Sequence, residues 1–172
     1  VNISESKDWC SFWEINRYDK PAPVDYRSDE DFWYNLPANF DVLDACWRMY
    51  LWTHDRTYLE DPAFVEFYRR TVRDYVDRWD LGLDRLLERE RFMNGAEGAA
   101  PVGRRGIPSY HEGDPGRTRV GVDLPAFQVA AYRSYAQILK LKGDEAVARL
   151  FEKKAEAAGR FIETHFWDAA ND

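Results

Sequence analysis

Two short stretches of this sequence set carboxyl groups among aromatic rings. The first reads Asp29-Glu30-Asp31-Phe32-Trp33-Tyr34 and the second Tyr110-His111-Glu112-Gly113-Asp114. Carboxyl groups suit general acid–base work, in which one is held protonated while another activates water or attacks directly. Rings beside them suit sugars, whose apolar C–H faces stack on aromatic side chains. Glu112 is the first candidate for a general acid: Tyr110 and His111 flank it, and an aromatic neighbour could desolvate its carboxyl and raise its pKa. Asp29 and Asp31 could bond sugar hydroxyls, and Asp31 could supply the second carboxylate. Trp33, Tyr34 and Tyr110 could form a stacking platform, with His111 and Asp114 as further substrate contacts. Plainer readings stand beside these. Glu112 also reads as an exposed turn acid in a His-Glu-Gly-Asp-Pro string, Asp29 and Asp31 as a solvated loop, and the rings as a plug between helices.

These residues belong to a chain of 172 residues with 24 Lys and Arg against 31 Asp and Glu, a net charge of −7, 45% hydrophobic residues and 16% aromatic ones. That is the length and apolar content of one globular domain, which excludes disordered, collagen-like and disulfide-scaffold classes. The acidic balance, with Arg dispersed, offers no basic stripe, so no nucleic-acid partner is expected. No run of about 18 apolar residues exists, so no membrane span is expected. The chain starts at Val1 with no charged-then-apolar leader, and reads as a matured chain or a segment of a longer one. Cys10 and Cys46 lack a CxxC partner or a His at metal spacing, and leave the redox compartment open. Glu112, Asp114 and Asp123 match no calcium-loop spacing, and no phosphate loop, dinucleotide fingerprint, Ser elbow or zinc spacing occurs. No metal and no cofactor is expected.

The elements that must carry the candidate residues follow from periodicity. Residues 1–38, punctuated by Pro21, Pro23 and Pro37, read as an irregular entry segment. Residues 39–53 are apolar around nearly the whole helical circumference, with Asp41, Asp44 and Arg48 as a narrow polar line, which predicts an inner helix buried on most sides. Asp44 and Arg48, four apart, pair with each other, and Trp47, Trp52, Tyr132 and Tyr135 read as core. Asp61 and Pro62 mark the start of a one-sided outer helix. His54 and Asp55 read as helix-terminal polar residues, and a further helical stretch follows over 83–93. The first hairpin with its extra helix thus spans 39–93, and a loop rich in Gly and Pro covers 94–122. A second hairpin spans 123–168, with Gly143 ending its inner helix and His165 read as structural on its outer one. A weak repeat results, in which Trp47-Arg48-Met49-Tyr50 is answered by Tyr132-Arg133-Ser134-Tyr135. Both long segments arrive at the N-terminal ends of inner helices, so they share one face, and long connections of this kind usually carry function.

With this alternation in place, the chain resembles the six-hairpin glycosidases. The resemblance rests on Asp31-Phe32-Trp33-Tyr34-Asn35-Leu36-Pro37-Ala38-Asn39 ahead of one inner helix and Tyr58-Leu59-Glu60-Asp61-Pro62 in the hairpin turn. It also rests on Trp79-Asp80 and Trp167-Asp168 closing outer helices, and on Gly106-Ile107-Pro108-Ser109-Tyr110-His111-Glu112-Gly113-Asp114 ahead of the next inner helix. It implies an all-α fold, with these hairpins as part of an (α/α)6 toroid carrying long irregular loops. It further implies a glycoside hydrolase acting on an oligo- or polysaccharide through two carboxylates in the loops at inner-helix N-termini. The rest of a longer polypeptide would complete the ring, and a secreted or periplasmic location is implied. Two other functions fit the same residues: a non-enzymatic helical-repeat scaffold binding carbohydrate or a protein partner, and a polysaccharide lyase using Tyr110 or His111 as base.

Overall fold

The computed structural model describes residues 3–89, 104–110, 119–168 and 170. The chain is helix-rich. A short 3₁₀ turn (Glu5–Lys7) is followed by strands β1 (Tyr26–Ser28) and β2 (Asp31–Asn35), and then by helix α1 (Pro37–Thr53). Helices α2 (Thr57–Glu60) and α3 (Pro62–Arg70) follow, and α3 continues through a π-helical turn (Thr71–Tyr75) into α4 (Val76–Arg78). Strand β3 (Arg104–Ile107) precedes α5 (Asp123–Leu141) and α6 (Glu145–His165).

The two helical hairpins form where the periodicity predicts them, and their boundaries have local causes. Asp61 caps α3 by accepting the Ala63 N–H at 2.8 Å, and Pro62 takes the first helical position, where its missing N–H is no loss. α1 closes at His54, whose left-handed backbone (φ 56°) directs its N–H to the Tyr50 carbonyl. Gly143, at φ +82°, turns the chain after α5, with the Asp144 N–H reaching the Leu139 carbonyl. α5 packs against α1 on one side and α6 on the other. The core runs between them and the outer helix through Phe40, Leu43, Tyr75, Leu124, Tyr132 and Phe151. Edge-to-face contacts join Phe40 to both Tyr75 and Tyr132 at 5.8 and 6.2 Å.

Three expectations are corrected. The all-α expectation gives way to helices with a small three-stranded sheet of order β1-β2-β3, in which β2 pairs antiparallel with β1 and parallel with β3. Two of its strands lie in the segment read as irregular and one in the 94–122 loop. Phe32 and Tyr34 are buried on one face of β2, an alternation too short to stand out before its partner strand is known. The helix expected over 83–93 is, among the described residues, only a 3₁₀ turn at Leu86–Glu88. Asp80 adopts φ 51° and the Arg89 Nε–H reaches back to the Trp79 carbonyl at 2.9 Å, so the chain doubles over the helix end instead of leaving as a new helix.

The third correction concerns α1, which is buried along its first half and bare along its second. Met49 and Leu51 are exposed, and Trp52, expected in the core, is 85% exposed. α5 covers one flank and the π-helical turn another, and no described element covers the third. Trp47 and Tyr135 are half-buried, whereas Tyr132 is buried as expected. Finally, the outer helix is not uniform: its π-helical turn inserts Tyr75 inward, and the Tyr75 hydroxyl donates to the Leu36 carbonyl at 2.9 Å at the β2–α1 junction.

Candidate functional site

The sheet and the two inner helices are arranged as a repeated unit. β2 leads through Leu36-Pro37-Ala38 into α1, and β3 leads toward Leu124-Pro125-Ala126 at the start of α5. Because β2 and β3 are parallel neighbours, with Asn35 opposite Ile107, both strands deliver the chain to the same end of the molecule. Gly106 makes this closeness possible. A Cβ there would stand 2.6 Å from the Trp79 ring and 2.8 Å from the Leu36 side chain.

Just past the end of β3, Asp123, the first residue of α5, accepts the Ser109 hydroxyl at 3.1 Å and the Tyr110 N–H at 2.7 Å. These bonds fix Tyr110 beside Phe127 on α5, with ring centroids 5.6 Å apart. Trp13 completes the cluster. Its ring lies 5.6 Å from Tyr110, 5.9 Å from Trp33 and 6.1 Å from Tyr34. Trp33, Tyr34 and Tyr110, singled out separately in the sequence, are therefore brought together, and the residue that joins them lies in the entry segment. Tyr34 itself is fully buried: its hydroxyl donates to Asn39 at 2.9 Å and meets Ser11 at 2.6 Å, so it supports the cluster instead of facing a ligand.

The acids divide. Asp29 is engaged by the Tyr26 hydroxyl. Asp31 pairs with Arg27 at 3.5 Å, while its other oxygen, Oδ1, is buried without a hydrogen-bond partner. Asp31 opens β2 and Tyr110 follows the opposite end of β3, so four strand steps, about 13 Å, separate Asp31 from the end where the helices begin. Glu112, His111 and Asp114 lie outside the described residues. Asp41, one turn into α1, lies near Tyr110 instead, and the two side chains interact electrostatically. Burial and the neighbouring Asp44 raise the Asp41 pKa above its ordinary value, and the Tyr110 hydrogen bond and Arg48 offset part of that shift. Burial, followed by the charges of Asp41 and Asp123, pushes the Tyr110 hydroxyl far above its usual range. Tyr110 therefore stays protonated at neutral pH.

Beside Asp41, a groove of about 420 Å³ runs between the inner helices, lined by Asp41, Asp44, Ala45 and Arg48 on α1 and by Ala126, Phe127 and Ala130 on α5. The expected Asp44–Arg48 pair forms at 2.6 Å, and the Ser134 hydroxyl from α5 donates to the other Asp44 oxygen at 2.6 Å. The signal for this groove was the polar line on an otherwise apolar helix. Phe127, by contrast, fits a core pattern and is only half-buried. Among the described residues, no group of three or more His, Cys, Asp or Glu side chains stands at metal-binding distance, and no helix is long and apolar enough to cross a membrane. Cys10 and Cys46 are both buried and form no disulfide.

Comparison with known protein families, characterised proteins and solved structures returned no match.

Proposed function

We propose that this chain is part of the catalytic domain of a glycoside hydrolase acting on an oligo- or polysaccharide. The observation that carries the reading is the convergence of both strand-to-inner-helix junctions on one end of the molecule. There the Trp13, Trp33, Tyr110 and Phe127 rings stand beside the Asp41 and Asp123 carboxyls. Rings to stack a sugar and a pair of carboxyls are what glycoside cleavage requires.

In this reading Glu112, two residues beyond Tyr110, protonates the glycosidic oxygen as it leaves, and a second carboxylate serves the water or the sugar carbon from the other side. Asp41 suits the second role better than Asp31, since it lines the groove at the inner-helix end near Tyr110 whereas Asp31 opens β2 at the far end of the strand pair. Burial and the nearby Asp41 and Asp123 charges keep the Tyr110 hydroxyl protonated, which weighs against a lyase using Tyr110 as base. The bare flank of α1, with Met49, Leu51 and Trp52 in solvent, supports a larger ring in which further helical hairpins cover this surface. A secreted or periplasmic place for the enzyme belongs to the same proposal and rests on the family resemblance.

The test is hydrolysis of a panel of α- and β-linked oligosaccharides by the intact protein, followed by reducing-end release, for wild type and Glu112→Gln. Wild type releases sugar, and the variant falls by 100-fold or more while still binding. Equal rates in the two proteins would remove Glu112 from the mechanism. Binding with no turnover in either would favour a helical scaffold that holds carbohydrate.

A further inference from the structure

The groove between α1 and α5 is built differently from the aromatic cluster beside it. One wall is a helix face with Asp41, Asp44 and Arg48 at successive turns, and the other carries the Phe127 ring between two alanines, Ala126 and Ala130. The alanines leave the groove open, since any larger side chain at either position would occupy it. Its 420 Å³ falls within the range of small-ligand sites, and is ample for one sugar ring with its substituents.

From this geometry we infer that the α1–α5 groove is a binding subsite for one neutral pyranose unit, with Phe127 under the ring's C–H face and the Asp44–Arg48 pair on adjacent hydroxyls. The inference rests on the carbohydrate reading above and adds to it a location and a substrate class. Each part of the wall has a matching role. Asp44 is held at both oxygens, by Arg48 Nε and by the Ser134 hydroxyl from the opposite helix, so its position is fixed before any ligand arrives. Remaining lone pairs of that carboxylate accept sugar hydroxyls, and the exposed end of Arg48 donates to a neighbouring oxygen. Phe127 supplies an apolar face whose edge is set by Tyr110.

Charge decides between neutral and acidic sugars. The groove holds two carboxyls against one guanidinium, and that guanidinium is engaged by Asp44. A uronate would bring a third negative group against a single guanidinium whose charge Asp44 already balances, whereas hydroxyls can use carboxylates as acceptors at no such cost. Continuity with Asp41 places the bound ring next to the carboxyl near Tyr110.

The experiment is amide chemical-shift mapping of the full chain, titrated with the methyl glycosides of D-glucose, D-mannose and D-galactose and with D-glucuronate. At least one neutral glycoside should shift the Asp44, Ala45, Ala126 and Phe127 amides, and D-glucuronate should bind at least 10-fold more weakly. Phe127→Ala should weaken that binding 10-fold or more. Ala126→Leu, at an exposed position where folding tolerates the change, should fill the groove and do the same. Shifts confined to Trp13 and Trp33, preferred binding of D-glucuronate, or unchanged affinity in Ala126→Leu would each overturn the subsite. Its failure is separable from that of the hydrolase. Turnover lost in Glu112→Gln with a silent groove leaves the enzyme and removes the subsite, and a responsive groove with no turnover does the reverse.

Discussion

Asp41 illustrates how one carboxyl reports on both stability and chemistry. Its pKa in the folded chain is raised above the ordinary 3.8, chiefly by burial and then by Asp44. A raised carboxyl binds its proton more tightly in the folded state than in the unfolded one, so in its ionised form it costs stability. That cost is fully present above the folded pKa, fades as pH falls through it, and is absent below 3.8. Asp41→Asn, which keeps an acceptor for Tyr110, is therefore expected to raise the melting temperature at pH 7. The gain should shrink toward zero as the pH is lowered to about 3.8, as followed by circular dichroism melts. A gain that persisted unchanged in acid would mean that desolvation of the charge is not its source.

At the scale of elements, two glycines give opposite expectations from the same substitution. Gly106 sits in β3 where the strand meets Trp79 and Leu36, and an added methyl has no room on either side. Gly106→Ala should destabilise the chain by about 1–3 kcal/mol through overpacking. Gly159, inside α6, has nothing within 4 Å of an added Cβ. Gly159→Ala should stabilise it by about 0.5–1 kcal/mol, since alanine loses less backbone freedom on entering the helix. Urea unfolding of both variants checks the pair, and a stable Gly106→Ala would show that the β2–β3 approach is looser than described. The helices themselves were legible because caps and stripes are local: Asp61-Pro62 and Gly143 announce where elements begin and end. β2 and β3 were not legible, because a five-residue strand has no local signature and its pairing joins residues 31–35 to residues 104–107.

The whole molecule has an asymmetry that no single element shows. One flank of α1 is buried by α5, while the flank with Met49, Leu51 and Trp52 faces solvent. Trp52→Ser should thus change the stability of this chain by less than about 0.5 kcal/mol, although tryptophans in a core cost several times more. A loss of 3 kcal/mol in denaturant melts would show that the flank is covered within the chain itself. Composition and periodicity alone determined the two hairpins, their caps, the Asp44–Arg48 pair and the acid-and-ring character of the segments between them, because each of these is written within a few turns of helix. Only the tertiary structure decided that Trp13 joins Trp33 to Tyr110, that Asp41 and not Asp31 meets that cluster, and that Phe127 borders a groove instead of filling a core. Those three facts depend on which strand lies beside which and how closely two inner helices approach. Such distances are set by packing between residues far apart in the chain, and periodicity along one helix carries no record of them.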